Sequence, residues 1–340
     1  MATTFTGPSV DWIQILPIVI VLGAAVIGVL CEAFLPARGR RGFQIVWALL
    51  ATVASGAAAL WLSLSDRTGT AIGHQVMVDK FGLFVQLALA AVALLSVLVI
   101  ASRSRDKEDA FAPMPAAAPG SELEELARKA RLPHSEIFPL TLFALGGMMI
   151  FPVAGDFITM FVSLEILSLP LYIMTAMARR RRLLSQEAAL KYFLLGAFSS
   201  AFFLFGAAWV FGATGSLALT SVSTAIGSGT SGSDLLLYTG LVLVLVGLGF
   251  KVGAVPFHAW MPDVYEGAPT PLTGFMAAAT KIAAFGAMLR IVYAVVAFLQ
   301  WDFRPVLWVL ACLTMLVGTA IGLAQHNIKR LLAYSAIAHA

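Results

Sequence analysis

About nine apolar runs of about 18–28 residues follow one another along this 340-residue chain. They lie near 12–34, 44–65, 81–102, 136–154, 156–178, 188–212, 235–258, 272–299 and 305–325. A run of that length spans the hydrocarbon of a bilayer as a helix, where every backbone group must be satisfied internally. The chain therefore reads as an all-α, multi-span membrane bundle of about nine complete helices. A further run begins at Ile328 and reaches Ala340. Its apolar part, at 1.5 Å per residue, covers roughly half the hydrocarbon thickness. It reads as the start of a tenth helix, and a longer protein is expected. The first run has no Lys or Arg before it and is too long for a signal h-region, so a retained span is expected.

Charged residues make up only 12% of the chain, about half the share in soluble domains. A net charge of +4 with pI ≈ 9.2 would suit a nucleic-acid partner, but the basic residues cluster in short loops between apolar runs. With the N-terminus outside, the inside loops hold Arg38, Arg40, Arg41, Arg103, Arg105, Lys107, Arg128, Lys129, Arg131, Arg179 to Arg182, Lys329 and Arg330. The outside loops hold only Arg67, Lys80 and Arg304. The positive-inside rule thus predicts an external N-terminus and cytoplasmic basic loops. Cys31 and Cys312 both fall in apolar segments and make no disulfide or metal framework. No phosphate-binding glycine loop, nucleotide fingerprint, paired-cysteine motif or haem-type histidine pair is present. Any redox centre that drives this protein is expected on other chains.

Two loops stand out. Residues 103–135 form a long inside loop with the Pro/Ala-rich piece APMPAAAPG, followed by SELEELARKAR. Ser121 and Glu124 there have capping-box spacing, and Glu124–Arg128 and Glu125–Lys129 are i,i+4 pairs, so a short surface helix is expected, with a solvated face favoured over a docking role. Residues 213–234 are Ser/Thr/Gly-rich and read as an external loop.

The remaining basic residues lie within the apolar runs, and with them Glu165. A lysine at the centre of a membrane helix costs about 2.5–3.5 kcal/mol on the lenient insertion scale, so such groups mark ion or proton paths by default. Glu165 sits mid-membrane in FVSLEILSLPLY, five residues before Pro170, which removes a backbone hydrogen bond. Its structural alternative is a protonated carboxyl bonded to a neighbouring helix. Lys251 follows Gly247 and Gly249 and precedes Gly253 and Pro256, so a helix break near 251–256 is expected, with the lysine facing Glu165 in a buried ion pair. Snorkelling is the alternative for Lys251. Lys281 lies deep, on a face shared with the small residues Thr273, Ala277 and Ala284. Lys191 lies near the inside end of its run, where snorkelling competes with a path role. Arg290, on the face opposite Lys281, is expected to pair with a neighbour or reach the outer surface. His258 at the break and His339 near the end are candidate relays, since histidine titrates near neutrality. Packing is an equal alternative for His258. Asp263 and Glu266 lie in WMPDVYEGAPTP, read as a stiff turn, with a plain turn and acids that attract protons or bind a neighbouring chain as equal alternatives.

The segments DFITMFVSLEILSLPLY, EAALKYFLLGAFSSAFFLFG, GLGFKVGAVPFHAWMPDVYEGAPTPLTGF, KIAAFGAMLR and QHNIKRLLAYSAIAHA resemble the antiporter-like membrane subunits of respiratory complex I. The resemblance runs from about 138 to 340, and residues 1–137 fit by helix count alone. It implies a bundle of the inverted-repeat type, with residues 1–135 as an N-terminal three-helix segment, 136–299 as the first five-helix repeat, and 300–340 as the start of the second. It assigns a proton path to Glu165, Lys251, Lys281 and Lys191. It also implies FMN, iron–sulfur clusters and quinone in partner subunits, none of them in this chain. The implied partners are an antiporter-like sibling and small membrane subunits, and the implied location a bacterial cell membrane. The rival readings are a subunit of a multi-chain Na⁺/H⁺ antiporter and a non-pumping membrane scaffold.

Overall fold

Helices make up most of the computed structural model, which describes residues 9–103, 109–129 and 134–340. Arg105, Lys107 and Arg131 lie outside these residues, as do the side chains of Arg38 and Arg128, and with them the Glu124–Arg128 pair. The chain opens with α1 (Leu16–Phe34) and α2 (Ala37–Leu64). The first apolar run becomes helical only at Leu16, where Pro17 occupies the first turn and has no amide hydrogen to leave unpaired. A hairpin of β1 (Gly69–Ala71) and β2 (Val76–Val78) leads to α3 (Lys80–Ala101). Then come α4 (Glu122–Lys129), α5 (Ile137–Ile150) with a 3₁₀ turn to Val153, α6 (Phe157–Thr175) and α7 (Arg182–Thr214). After α8 (Leu219–Gly227) and α9 (Asp234–Val252) the chain forms α10 (Trp260–Gly267) and α11 (Thr270–Phe275). A π turn at Met276–Thr280 joins α11 to α12 (Lys281–Ala294), and α13 (Gln300–Leu323) and α14 (Ile328–Ala338) follow.

Among the described residues, eight helices are long and apolar enough to cross a membrane: α1, α2, α3, α6, α7, α9, the continuous Thr270–Ala294 helix, and α13 with the turn before it. The run near 136–154 forms a shorter apolar helix, Ile137–Val153. The Ser/Thr/Gly-rich segment 213–234, expected as a loop, contains α8, whose Leu219 and Val222 are buried. The expected turn WMPDVYEGAPTP likewise starts as a helix, α10, because Trp260, Val264 and Tyr265 are buried together along it.

Glycines let the central helices touch backbone to backbone. A Cβ at Gly206 of α7 would stand 2.6 Å from the Gly240 carbonyl oxygen of α9, and one at Gly240 would stand 2.9 Å from the Gly206 carbonyl oxygen. Membrane helices associate through such close approach, since lipid supplies no hydrophobic drive between them. Gly147 of α5 meets the α6 backbone at Ile166 and Leu167, beside the position where Pro170 interrupts the hydrogen-bond ladder.

The 103–135 segment is tied to the start of α7 through its middle. Arg182 Nη2 donates to the carbonyls of Pro115 (2.8 Å) and Ala117 (3.0 Å), and its Nε lies 3.4 Å from Glu124. Ser121 caps α4 by accepting from the Glu124 amide, while the Glu124 carboxylate accepts from the Gly120 amide at 2.7 Å. The acid therefore reaches one residue further back than a reciprocal capping box requires. α4 is a short surface helix, as expected, with most of its residues exposed and Glu124 reaching Arg182 at the start of α7. The Glu125–Lys129 pair spans 3.7 Å between exposed side chains.

Arg290 does find a partner. Its buried guanidinium lies 2.9 Å from Asp79 Oδ1, and its Nε donates to the Pro152 carbonyl. Asp79 also caps α3, accepting from the Gly82 amide at 2.6 Å. One side chain thus ties α12, α3 and the turn after α5. Arg290→Ala leaves Asp79 half exposed, so water compensates and the loss is about 1–2 kcal/mol, well below that of a fully buried pair. A melting midpoint in detergent that falls by a few degrees is expected, and an unchanged midpoint would show that the contact carries no stability.

Candidate functional site

The last turn of α9 ends in a Schellman motif. Gly253, at φ +81°, donates its amide to Phe250, and the Ala254 amide reaches back to Gly249 at 2.9 Å. A Cβ at Gly253 would meet only the flexible end of Met261, so it is the positive φ that calls for glycine there. The expected break at 251–256 is present. Pro256 lies in the segment between α9 and α10, where the Val255 amide donates to Thr314 Oγ1 of α13 at 3.0 Å. The Trp260 indole also donates to the Phe250 carbonyl, at 2.9 Å, so this last-turn acceptor takes both the Gly253 amide and the indole.

Lys251 stands in that last turn, only 4% exposed. Its ammonium donates to Ser168 Oγ at 2.7 Å and lies 3.4 Å from the Tyr192 hydroxyl. It also lies 5.5 Å from the centroid of the Tyr192 ring, within cation–π range. The predicted ion pair with Glu165 is not formed. Glu165 Oε1 is buried without a hydrogen-bond partner. The difference is one of height along α6: Ser168 is three residues beyond Glu165 on the same face, about 4.5 Å along the axis, and the ammonium lies at its level.

Aromatic rings fix the lysine's surroundings. Tyr192 stacks on Trp260 at 4.8 Å and meets Tyr172 edge-on at 4.5 Å, and Phe250 stacks on Trp260 at 5.2 Å. Gly196 leaves room for the Tyr172 hydroxyl, where any Cβ would clash.

Lys281 begins α12 immediately after the π turn and donates to the Ala336 carbonyl of α14. The small-residue face expected around it assumed an unbroken 3.6-residue period. The π turn lies between Thr273 and Lys281 and shifts that register, though Ala284 is fully buried.

Lys191 lies apart from these groups. Its side chain is 44% exposed and pairs with Glu187 at 2.8 Å and Asp263 at 2.9 Å. Arg330 of α14 binds the same Asp263 at 2.6 Å and Glu266 at 3.1 Å, and Asn327 donates to Glu266 at 2.6 Å. Lys329 closes the end of α10, donating to the Ala268 carbonyl at 2.9 Å. A cavity of about 230 Å³ opens among Glu187, Lys191, Asp263, Glu266 and Arg330. The acids of α10 therefore bind α7 and α14 of their own chain, a pairing invisible in a sequence that separates them by some seventy residues.

Burial alone would raise the Asp263 carboxyl, but hydrogen bonds from Lys191 and Arg330 outweigh it and hold the group below the ordinary value of 3.8. A depressed carboxylate contributes stability above its unfolded pKa and loses it as pH falls through the folded one. Asp263→Asn should therefore melt below the wild-type chain at neutral pH, and the two midpoints should converge in acid. Parallel curves at all pH values would rule out this linkage.

His258 lies between α9 and α10, with its Nδ1 buried and unpartnered and its ring 6.4 Å from Tyr334. His339, at the end of α14, is exposed, and its Nδ1 hydrogen-bonds the Ser335 carbonyl at 2.7 Å. The structure thus gathers Glu165 and Lys251 around Ser168 and Tyr192, sets Lys281 against α14, and leaves Lys191 in the ionic cluster. Ser168 and Tyr172 were findable as i+3 and i+7 neighbours of Glu165 on one helical face. Nothing in sequence spacing pointed to Tyr192 or Arg330. Among the described residues no group of three or more His, Cys, Asp or Glu could hold a metal ion.

The profile of the family described as "NADH:quinone oxidoreductase/Mrp antiporter, TM" matches residues 154–340. The chain is 53% identical over 346 aligned positions to NADH-quinone oxidoreductase subunit N of Beutenbergia cavernae, covering 99% of this chain and 65% of that protein. To subunit N of Rhodococcus opacus it is 49% identical over 359 positions, covering 100% and 66%. Among solved structures it resembles a chain of respiratory complex I from Thermus thermophilus with bound Aureothin. The TM-score there is 0.73 at 36% identity, over 95% of this chain and 62% of that one. The chain spans about two thirds of the length of the curated relatives it matches. Because the profile covers more than half of its residues, the break, Lys251 and Lys281 included, the chain belongs to the NADH:quinone oxidoreductase/Mrp antiporter family of membrane proteins.

Proposed function

We propose that the chain is a proton-translocating membrane-arm subunit of an NADH:quinone oxidoreductase, akin to subunit N. It holds no redox site of its own, and FMN, iron–sulfur clusters and quinone are bound by partner subunits. Ile137–Val153 serves as a ninth span and α14 as part of a tenth. The N-terminus faces outward and the basic loops face the cytoplasm of a bacterial cell. Residues 136–299 form the first repeat, 300–340 begin the second, and 1–135 flank them. Protons enter at the Lys191–Asp263–Arg330 cluster and pass by way of Lys251 and Lys281, with His258 at the entry and His339 on α14 as relays.

The observation that carries this reading is the ammonium of Lys251. It is buried at a broken helix and held by neutral hydroxyls, with an unpartnered carboxyl oxygen on Glu165, three residues from Ser168 on the same helix. A charge so placed costs several kcal/mol in a membrane, roughly, and is retained where it works. Redox-driven shifts of charge in the membrane arm change the Lys251–Glu165 distance and with it the lysine's hold on its proton.

Inside-out vesicles carrying the assembled complex test this. Lumen acidification on adding NADH, with none on a sodium pulse alone, is expected. A sodium-driven pH change without NADH would instead favour a Na⁺/H⁺ antiporter subunit.

A further inference from the structure

Lys251 has a choice of acceptors, and the structure catches it on one of them. Ser168 and Glu165 project from the same face of α6, about 4.5 Å apart along its axis at 1.5 Å per residue. The ammonium is on Ser168, while Glu165 Oε1 is buried and unused. Lysine's flexible four-carbon stem suits an exchange between two acceptors presented by one helix.

We propose that Ser168 and Tyr192 are positioning residues that park Lys251 away from Glu165. The inference rests on the proton-path reading of Lys251 given above. The parked state is built, since Ser168 is buried and its own proton is committed to the Leu164 carbonyl. Its lone pair is therefore left facing the ammonium. Tyr192 is held by Trp260 on one face and Tyr172 at its edge, so its hydroxyl and ring cannot turn away. A hydroxyl binds an ammonium more weakly than a carboxylate does, so parking holds the lysine without trapping it. The ionisable groups around the site are Glu165 and Tyr172 from α6, Tyr192 from α7 and Tyr265 from α10. The Tyr265 hydroxyl is itself buried without a partner. Lys281 is engaged elsewhere, on Ala336 of α14.

The test uses the assembled complex in inside-out vesicles, with the amount of complex equalised. A hydrogen bond to a charged group is worth about ten-fold in an equilibrium, so Ser168→Ala should slow NADH-driven pumping by about five- to ten-fold. Ser168→Thr, which keeps the hydroxyl, should recover to within about two-fold of wild type. Pumping by Ser168→Ala at the wild-type rate would overturn the proposal. So would a Ser168→Thr variant as impaired as the alanine, because packing rather than the hydroxyl would then matter. Should Ser168→Ala fail to assemble, Ser168→Cys, close in volume and a poorer acceptor, decides between the same two outcomes. A Lys251→Ala control keeps the two readings apart. If that variant pumps normally, the proton-path reading itself falls. If it does not pump while Ser168→Ala does, parking alone falls.

Discussion

Lys251→Met in the assembled complex is expected to cut NADH-driven proton pumping by more than about ten-fold, with quinone reduction slowing alongside it, while the protein melts no lower than wild type. The opposed signs follow from the burial of the group. Its ammonium sits 4% exposed among rings, bonded to one serine and one tyrosine. Neutral acceptors offset only part of the desolvation that a membrane-embedded charge incurs. Methionine fills nearly the same volume and removes the charge, so Ser168 and Tyr192 lose a donor while the fold is relieved of a cost. Dye quenching in vesicles reads pumping, NADH oxidation reads turnover, and a thermal melt in detergent reads stability. Normal proton yield and turnover would sink the proton path. A matched Lys251→Met, Glu165→Gln variant sharpens the result. If the two residues serve only packing, removing both ionisable groups should leave pumping intact.

The second large effect is structural. Gly206→Val should prevent stable assembly, at a cost of about 3 kcal/mol or more. A Cβ at Gly206 meets the Gly240 carbonyl at 2.6 Å and the Val244 amide nitrogen at 2.7 Å, both of them backbone. No rotamer change relieves such a clash, so α7 and α9 must move apart. That separation carries Tyr192 of α7 away from Lys251 of α9, and the polar site loosens with the packing. Gly23→Val is the matched control, since a Cβ at Gly23 finds nothing within 4 Å. Loss of complex from membranes for the first variant and wild-type levels for the second are expected. Equal levels for both would show that the α7–α9 contact yields without cost.

The long spans, the break after Lys251 and the depth of Glu165 were legible because each is a local property. A run of apolar residues must be helical in lipid, and a glycine that must adopt positive φ ends a helix wherever it stands. The same locality explains the errors. Segment 213–234 is polar enough to read as a loop, yet Leu219 and Val222 bury one face of a short helix against the bundle. WMPDVYEGAPTP carries turn residues, yet three buried side chains at helical spacing fold its first half. Both outcomes depend on having a surface to pack against, which spacing does not report.

The sequence by itself determined that this chain crosses a membrane repeatedly, that it breaks a helix beside a lysine, and that it places charge where charge is expensive. Only the tertiary structure decided which groups meet. Lys251 lies against Ser168 and Tyr192 rather than Glu165, Lys191 joins Asp263 and Arg330 at one end of the bundle, and Lys281 reaches Ala336 past a π turn. The physical reason is the height and the rotation of each helix against its neighbours; for Lys251 it is height, since Glu165 and Ser168 share one face of α6. Each residue turns a helix by about 100°, so a shift of one residue, or one π turn, moves a side chain to another face. Hydropathy fixes which residues lie in the membrane, and the height and rotation of each helix against its neighbours fix what they touch.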